Sequence, residues 1–248
     1  QWKSLMQANF QKIGLTSKHT IAKEKAFVER LIKHLISLKK EVYLDEHITK
    51  AVGKKTLAKI RHKNMARAQL LSSTDLVIVL GGDGTVLKVA REIGKKSPPV
   101  LAVNMGNVGF ITEIAPSKII EMLSKIFKGA YTLDTRFLLR VTVYRNKKKY
   151  FTSLALNEAV INQGGFSRLI DLNVHVNGKE LALYRADGLI VSTPSGSTAH
   201  SLSAGGPILH PKLNGIIITP ICALRLGFRP IVIPHDREIS IKLKTQWR

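Results

Sequence analysis

Leu76-Val77-Ile78-Val79-Leu80-Gly81-Gly82-Asp83-Gly84-Thr85 decides how this chain is read. Five apolar residues run without interruption into three glycines that bracket one carboxylate. A short apolar run bounded by turn residues is the pattern of a strand buried on both faces, as in a parallel sheet. Glycines let backbone N–H groups approach a ligand where side chains would block it. A cradle of bare amides for phosphate would be weakened by a carboxylate at its centre, unless a cation intervenes or the carboxylate has chemistry to perform. Asp83 therefore points to an enzyme that handles phosphates.

The segments around this run supply the fold class. Phe10 to Leu15 reads as a first strand, and Ala22 to Lys40 as an amphipathic helix with Phe27, Val28, Leu31, Ile32, Leu35 and Leu38 at helical spacing. Val42 to Leu44 is a short strand, and Leu57 to Leu70 has helical character. Val86 to Ile93 should form a helix closed by Gly94, followed by a strand over Val100 to Val103. This alternation predicts an α/β domain with a parallel, Rossmann-like sheet. Ligands bind such sheets at the carboxyl ends of the strands, where Asp83 falls.

After a helix over Ser117 to Lys128, ended by Gly129, the pattern turns to strands. Phe137 to Tyr144 and Tyr150 to Ile161 read as a long hairpin around a basic turn. Leu172, Val174 and Val176 alternate up to Asn177-Gly178, the strongest short hairpin signal. Strands at Leu189–Val191, Ile216–Thr219, Ile231–Ile233 and Ile239–Leu243 complete a β-rich half. Two domains are expected, 1–133 and 134–248.

Composition bounds the function. The 248 residues carry 39 Lys and Arg against 17 Asp and Glu, a net charge of +22 that attracts polyanions. Aromatic residues are only 6%, and no zinc-finger or RNP-type pattern interleaves the charge, so nucleic acid is not the expected partner. A solvated basic surface that steers a phosphate-bearing substrate fits better. No segment reaches the roughly 18 apolar residues of a membrane span, and Gln1 to Phe10 lacks the apolar centre of a signal peptide. The single cysteine, Cys222, excludes an internal disulfide and fits a reducing compartment, so a cytoplasmic location is expected. The eight His show no metal-ligand spacing, and no protein-held metal is expected.

The Gly81–Thr85 loop lacks the Lys-Ser/Thr of a P-loop and the third glycine of a dinucleotide fingerprint. It resembles instead the motif shared by NAD kinases, diacylglycerol and sphingosine kinases, and phosphofructokinases. Three more segments narrow that choice. Asn104 to Glu113 resembles the second glycine motif of NAD kinases, and Leu156-Asn157-Glu158-Ala159 their Asn-Glu dyad. Asp187 to Ala199, continued by Ser201 to Pro207, is similar to their longest signature. With four motifs in family order, the chain resembles the NAD kinases of bacterial type.

That resemblance implies transfer of the γ-phosphoryl group of ATP, or of polyphosphate, to the 2′-hydroxyl of the adenosine ribose of NAD. Mg²⁺ or another divalent cation would accompany ATP. Asp83 is the candidate base, taking the hydroxyl proton late and in concert with phosphoryl arrival, because an aspartate is a weak base towards an alcohol. Gly81, Gly82, Gly84 and Thr85 would line the site. An amide beside an acceptor-only carboxylate suits a ribose diol, which gives Asn157 and Glu158 their roles. Asp187 would help hold the dinucleotide, and Arg168 and Arg185 lie where the family often contacts it.

Ser192 to Ser203 contains seven Ser or Thr residues and no acid, an anion-friendly run with a helix expected near Thr198. Thr198, Ala199, His200, Ser201 and Ser203 complete the candidate binding set. Ser195, Ser197 and His200 do not make a hydrolase, since the G-x-S-x-G elbow is absent. The chain departs from the family at His200, where Tyr is usual, and at Ala223-Leu224, where Pro-His is usual. Relatives continue beyond the position of Arg248, so no contact from such a segment is assigned. Homo-oligomers, dimers or tetramers, are implied. A non-catalytic NAD(P)-binding protein, or another kinase of the superfamily, is the alternative.

Overall fold

The computed structural model describes residues 10–18, 21–94, 98–106, 109–112, 114–164 and 168–244. Its chain divides into two compact units, Gln1–Asp134 and Thr135–Arg248.

In the first unit the elements run β1 (Lys12–Ser17), α1 (Lys25–Ser37), β2 (Glu41–Asp45), α2 (Glu46–Ala51), α3 (Lys54–Leu57), β3 (His62–Met65), α4 (Arg67–Ser73), β4 (Leu76–Leu80), α5 (Asp83–Glu92), β5 (Val100–Val103) and α6 (Ile119–Phe127). The five strands form one sheet in the order β3-β2-β1-β4-β5, and every pairing is parallel. Strand order reverses direction between β1 and β4, so the turn after Leu80 opens at the topological switch point, where open α/β sheets bind ligands. All five residues of β4 are buried, as the unbroken apolar run requires. Helix α1 buries Val28, Leu31, Ile32 and Leu35 against Ile13, Leu15, Leu44 and Ile78 in one core. At about 25 cal/mol per Å² of apolar area, such stripes supply most of the helix's stability.

Three local expectations are corrected. Leu57 to Leu70 is not one helix: a strand, His62–Met65, separates α3 from α4, because the outer edge of β2 takes a partner. Propensity lost there to tertiary pairing. Gly94 is not a left-handed cap; α5 ends at Glu92 and Ile93 is already extended (φ −63°, ψ 127°). Helix α1 stops at Ser37, with Lys39 left-handed (φ 56°), which turns Leu38 outward.

At the carboxyl ends of β1 and β2 a polar network ties five elements together: β1, β2, α2, α4 and α5. Asp45, 1% exposed, accepts from the Ile48 amide (2.8 Å), the Thr16 hydroxyl (2.5 Å) and the Ser17 amide (3.2 Å). Thr16 Oγ1 in turn accepts from Arg67 Nε (3.0 Å), and Arg67 also donates to the Ser17 carbonyl (3.1 Å) and to Glu92 Oε1 (2.7 Å). Arg67 thus links the end of β1 to the last turn of α5. Its replacement by Leu should lower stability by about 2–3 kcal/mol, the usual worth of hydrogen bonds to a charged group. Urea unfolding checks this, with an unchanged midpoint as the contrary result.

The second unit is antiparallel. It runs β6 (Leu139–Arg145), β7 (Lys148–Ala155), β8 (Glu158–Asn162), β9 (Ile170–Val176), β10 (Lys179–Ala186), β11 (Gly188–Ser192), α7 (His200–Ser203), β12 (Gly215–Ile221), β13 (Ile231–Pro234) and β14 (Ile239–Leu243). Sheets of order β10-β9-β14 and β13-β12-β11-β8 share a core of Ile170, Leu172, Val174, Tyr184, Leu189 and Ile218, while β6 and β7 pair separately. The β9–β10 turn has Asn177 at φ 48° and Gly178 at φ 78°, the left-handed pair that a two-residue hairpin needs. Tyr150 to Ile161 is not one strand. The chain breaks at Leu156-Asn157, ending β7 and sending β8 into a different sheet beside β11.

Candidate functional site

In the first unit the decisive turn lies between β4 and α5. Gly81 continues the ladder, its amide donating to the Val103 carbonyl (3.0 Å), and Gly82 caps α5 through Thr85 N (2.8 Å). The helix begins at Asp83 itself, three residues earlier than its apolar spacing predicts. Among the described residues Gly82 and Gly84 have no neighbouring atom within 4 Å of where a Cβ would sit, and neither has a left-handed φ. Nothing among those residues crowds these two positions.

Asp83 is held by the segment that follows β5. Its Oδ1 accepts from the Ile111 amide (3.2 Å), the Thr112 amide (3.0 Å) and the Thr112 hydroxyl (2.9 Å), and its Oδ2 from the Phe110 amide (2.9 Å). A Cβ on Gly109 would fall 2.1 Å from Asp83 Oδ1, so only glycine lets the carboxylate lie there. Buried Asn104 anchors this segment, donating to the Thr112 carbonyl (3.2 Å) and accepting from the Gly106 amide (2.8 Å). The second glycine motif therefore serves the first. Asn107, Val108 and Glu113 of that motif lie outside the described residues. A cavity of about 280 Å³ at the carboxyl ends of β1 and β2 is lined by the bases Lys18, Arg67 and Lys88 and by the acids Asp45, Glu46 and Glu92.

In the second unit Glu158 opens β8 directly opposite Ser192, the last residue of β11. The loop after Ser192 folds onto Asn157: its carbonyl accepts from the Thr193 amide (2.8 Å) and the Ser192 hydroxyl (3.3 Å). Thr193 Oγ1 donates to the Leu156 carbonyl (2.5 Å) and accepts from the Gly196 amide (3.1 Å). A Cβ on Gly196 would meet the Asn157 carbonyl oxygen at 2.3 Å, so the loop packs against the dyad's backbone. The dyad's amide oxygen, Asn157 Oδ1, is buried without a hydrogen-bond partner among the described residues. A buried acceptor left unpaired is costly, and a donor from water or a ligand relieves that cost.

The other predicted binding residues divide. Asp187 sits in the turn before Gly188, its backbone pinned by the Ile221 carbonyl (3.0 Å) and the Gln163 amide (3.1 Å). Thr198 ends a 3-10 turn over Ser195–Thr198, and Ala199 joins it to α7. The helix expected near Thr198 is a single turn starting at His200, which is exposed, as is Ser203. Ser201 is fully buried, and its hydroxyl is shared with Thr219 (3.0 Å), so its side chain serves the core. Arg168 lies exposed on the bend before β9. Arg185, on β10, is 3.9 Å from Asp171 and largely exposed. Gly109, Thr112 and Gly196 carry no individual role in the sequence reading, although all three lie inside its motifs. Among the described residues no three His, Cys, Asp or Glu side chains are grouped to hold a metal ion.

Comparisons with known proteins bear on both units. The model of the ATP-NAD kinase N-terminal domain matches residues 7–131, and that of the ATP-NAD kinase C-terminal domain residues 156–248. The NAD kinase of Citrifermentans bemidjiense is 40% identical over 234 residues, covering 94% of this chain and 80% of the relative. That of Thermoanaerobacter sp. is 37% identical, covering 95% and 81%. Yeast NADH kinase, solved with NADH, superposes with a TM-score of 0.80 at 25% identity, over 98% of this chain and 73% of its own. An NAD kinase from Archaeoglobus fulgidus, solved with ATP, gives 0.72 at 28% identity, over 94% and 80%. The chain belongs to the ATP-NAD kinase family.

Proposed function

We propose that this chain transfers the γ-phosphoryl group of ATP to the 2′-hydroxyl of the adenosine ribose of NAD, producing NADP, with Asp83 as the base. The observation that carries the reading is the Asp83 carboxylate. It is held by four donors from residues 110–112, beside two glycines whose Cβ positions are open. Phosphoryl transfer needs mainly positioning and charge neutralisation. Asn157 and Glu158 orient the ribose, the unpartnered Asn157 Oδ1 accepting from a sugar hydroxyl. Asp187, Arg168, Arg185 and the backbone of Thr198, Ala199 and His200 contribute to dinucleotide binding. The divalent cation enters as part of the Mg·ATP substrate.

The reading extends to a cytoplasmic location and to self-assembly as a dimer or tetramer. Exposed Tyr150 and Phe151 on the β6–β7 hairpin fit the latter. No helix among the described residues is long and apolar enough to cross a membrane.

Incubating the protein with NAD and Mg·ATP, and coupling the product to an NADP-specific dehydrogenase, tests the activity. NADP formation that depends on ATP is expected. Saturable NAD binding with no NADP in any donor arm, polyphosphate included, favours a non-catalytic NAD-binding protein instead.

Gly84→Ala separates ligand approach from folding. Gly84 is the second residue of α5 and exposed, so alanine should raise stability by up to about 1 kcal/mol. The same methyl group intrudes on the nucleotide, and kcat/KM for ATP should fall about tenfold or more. A melting curve and ATP titration check both signs; a variant that is more stable and fully active contradicts the assignment of the turn.

A further inference from the structure

We propose that Thr112 is a positioning residue for Asp83, assisted by the close approach of Gly109, and that together they divide the labour of the two carboxylate oxygens. This rests on Asp83 being the base. Oδ1 accepts three hydrogen bonds, two from Thr112 alone, whereas Oδ2 accepts one, from the Phe110 amide. A carboxylate offers about four acceptor positions, two on each oxygen. Oδ1 is therefore saturated and serves as the anchor, and Oδ2 keeps a position for the substrate hydroxyl. Thr112 is itself fully buried and held through its carbonyl by Asn104. Its hydroxyl therefore reaches Asp83 from a fixed point, at 2.9 Å. Gly109 leaves the carboxylate its place, since any Cβ there would displace it. Without the hydroxyl, the carboxylate gains freedom to rotate and present the wrong oxygen, and displacements of about 1 Å can cost a hundredfold in rate.

The test compares Thr112→Val, which keeps the shape and removes the hydroxyl, with Thr112→Ser, which keeps the hydroxyl. Thr112→Val should lower kcat ten- to a hundredfold, leaving the Kd for NAD unchanged, and Thr112→Ser should restore most of the turnover. An unaltered kcat in Thr112→Val, a parallel loss of NAD affinity and kcat, or a failure of serine to rescue each overturns the proposal. Should Thr112→Val not fold, Gly109→Ala carries the same comparison: kcat lost with NAD affinity kept supports it, and kcat kept overturns it. The base reading fails separately. If Asp83→Asn retains turnover, Asp83 is not the base; if Asp83→Asn abolishes turnover while Thr112→Val is fully active, only the positioning role is lost.

Discussion

Asp83→Asn should bind NAD normally and lose turnover by about 10²- to 10⁴-fold, the range that a general base contributes. The amide is nearly isosteric, so its oxygen can keep the three donors now on Oδ1: the amides of Ile111 and Thr112 and the Thr112 hydroxyl. The NH₂ group replaces Oδ2 and faces the Phe110 amide, donor against donor. That clash lies at an exposed hydrogen bond, where water can take over, so it should cost stability little. The variant thus keeps the fold of the turn and the binding of NAD, and removes the proton acceptor. Isothermal titration with NAD beside the coupled assay reads both. Near-normal turnover sinks the base assignment, and loss of NAD binding in step with turnover makes Asp83 a binding residue.

Asn157→Ala should lower the affinity for NAD with little change in stability. The backbone of Asn157 holds the loop after β11 through its carbonyl, and alanine preserves that. The side-chain oxygen is buried and makes no hydrogen bond among the described residues, so its removal breaks none there and the melting temperature should change little. NAD loses an acceptor built for one of its hydroxyls, and its Kd should rise about 10- to 100-fold, equivalent to about 1.4–2.7 kcal/mol. A lowered melting temperature with unchanged NAD affinity would instead make Asn157 a structural amide.

The parts of this molecule written in local pattern were legible from the sequence. The run over Leu76–Leu80 is a fully buried parallel strand, and the Val28, Leu31, Ile32 and Leu35 spacing is the inner face of α1. Asn177-Gly178 is the hairpin it spells. Where tertiary pairing overrides local preference, the sequence misleads. His62–Met65 is basic and polar, yet it forms an edge strand because the parallel sheet offers β2's free side. Tyr150 to Ile161 reads as continuous β-pattern, and its break at Asn157 is visible only through the Ser192–Gly196 loop that packs on it from 35 residues away. The candidate site was legible as a set of motifs and not as a mechanism of support. Asp83 stands out as a carboxylate among glycines, but the three donors on its Oδ1 come from 28 and 29 residues downstream. Ser201 shows the converse: its motif suggests a ligand contact, and the fold turns its hydroxyl onto Thr219.

The most direct test of the chemistry follows a radiolabelled γ-phosphoryl group of ATP into product with NAD as acceptor. Label should appear, one per dinucleotide, in a product that an NADP-specific dehydrogenase reduces, and Asp83→Asn should slow its appearance at least about a hundredfold. Label that remains in ATP or emerges only as inorganic phosphate while NAD is bound, or label in a dinucleotide that the dehydrogenase rejects, contradicts transfer to the 2′-hydroxyl.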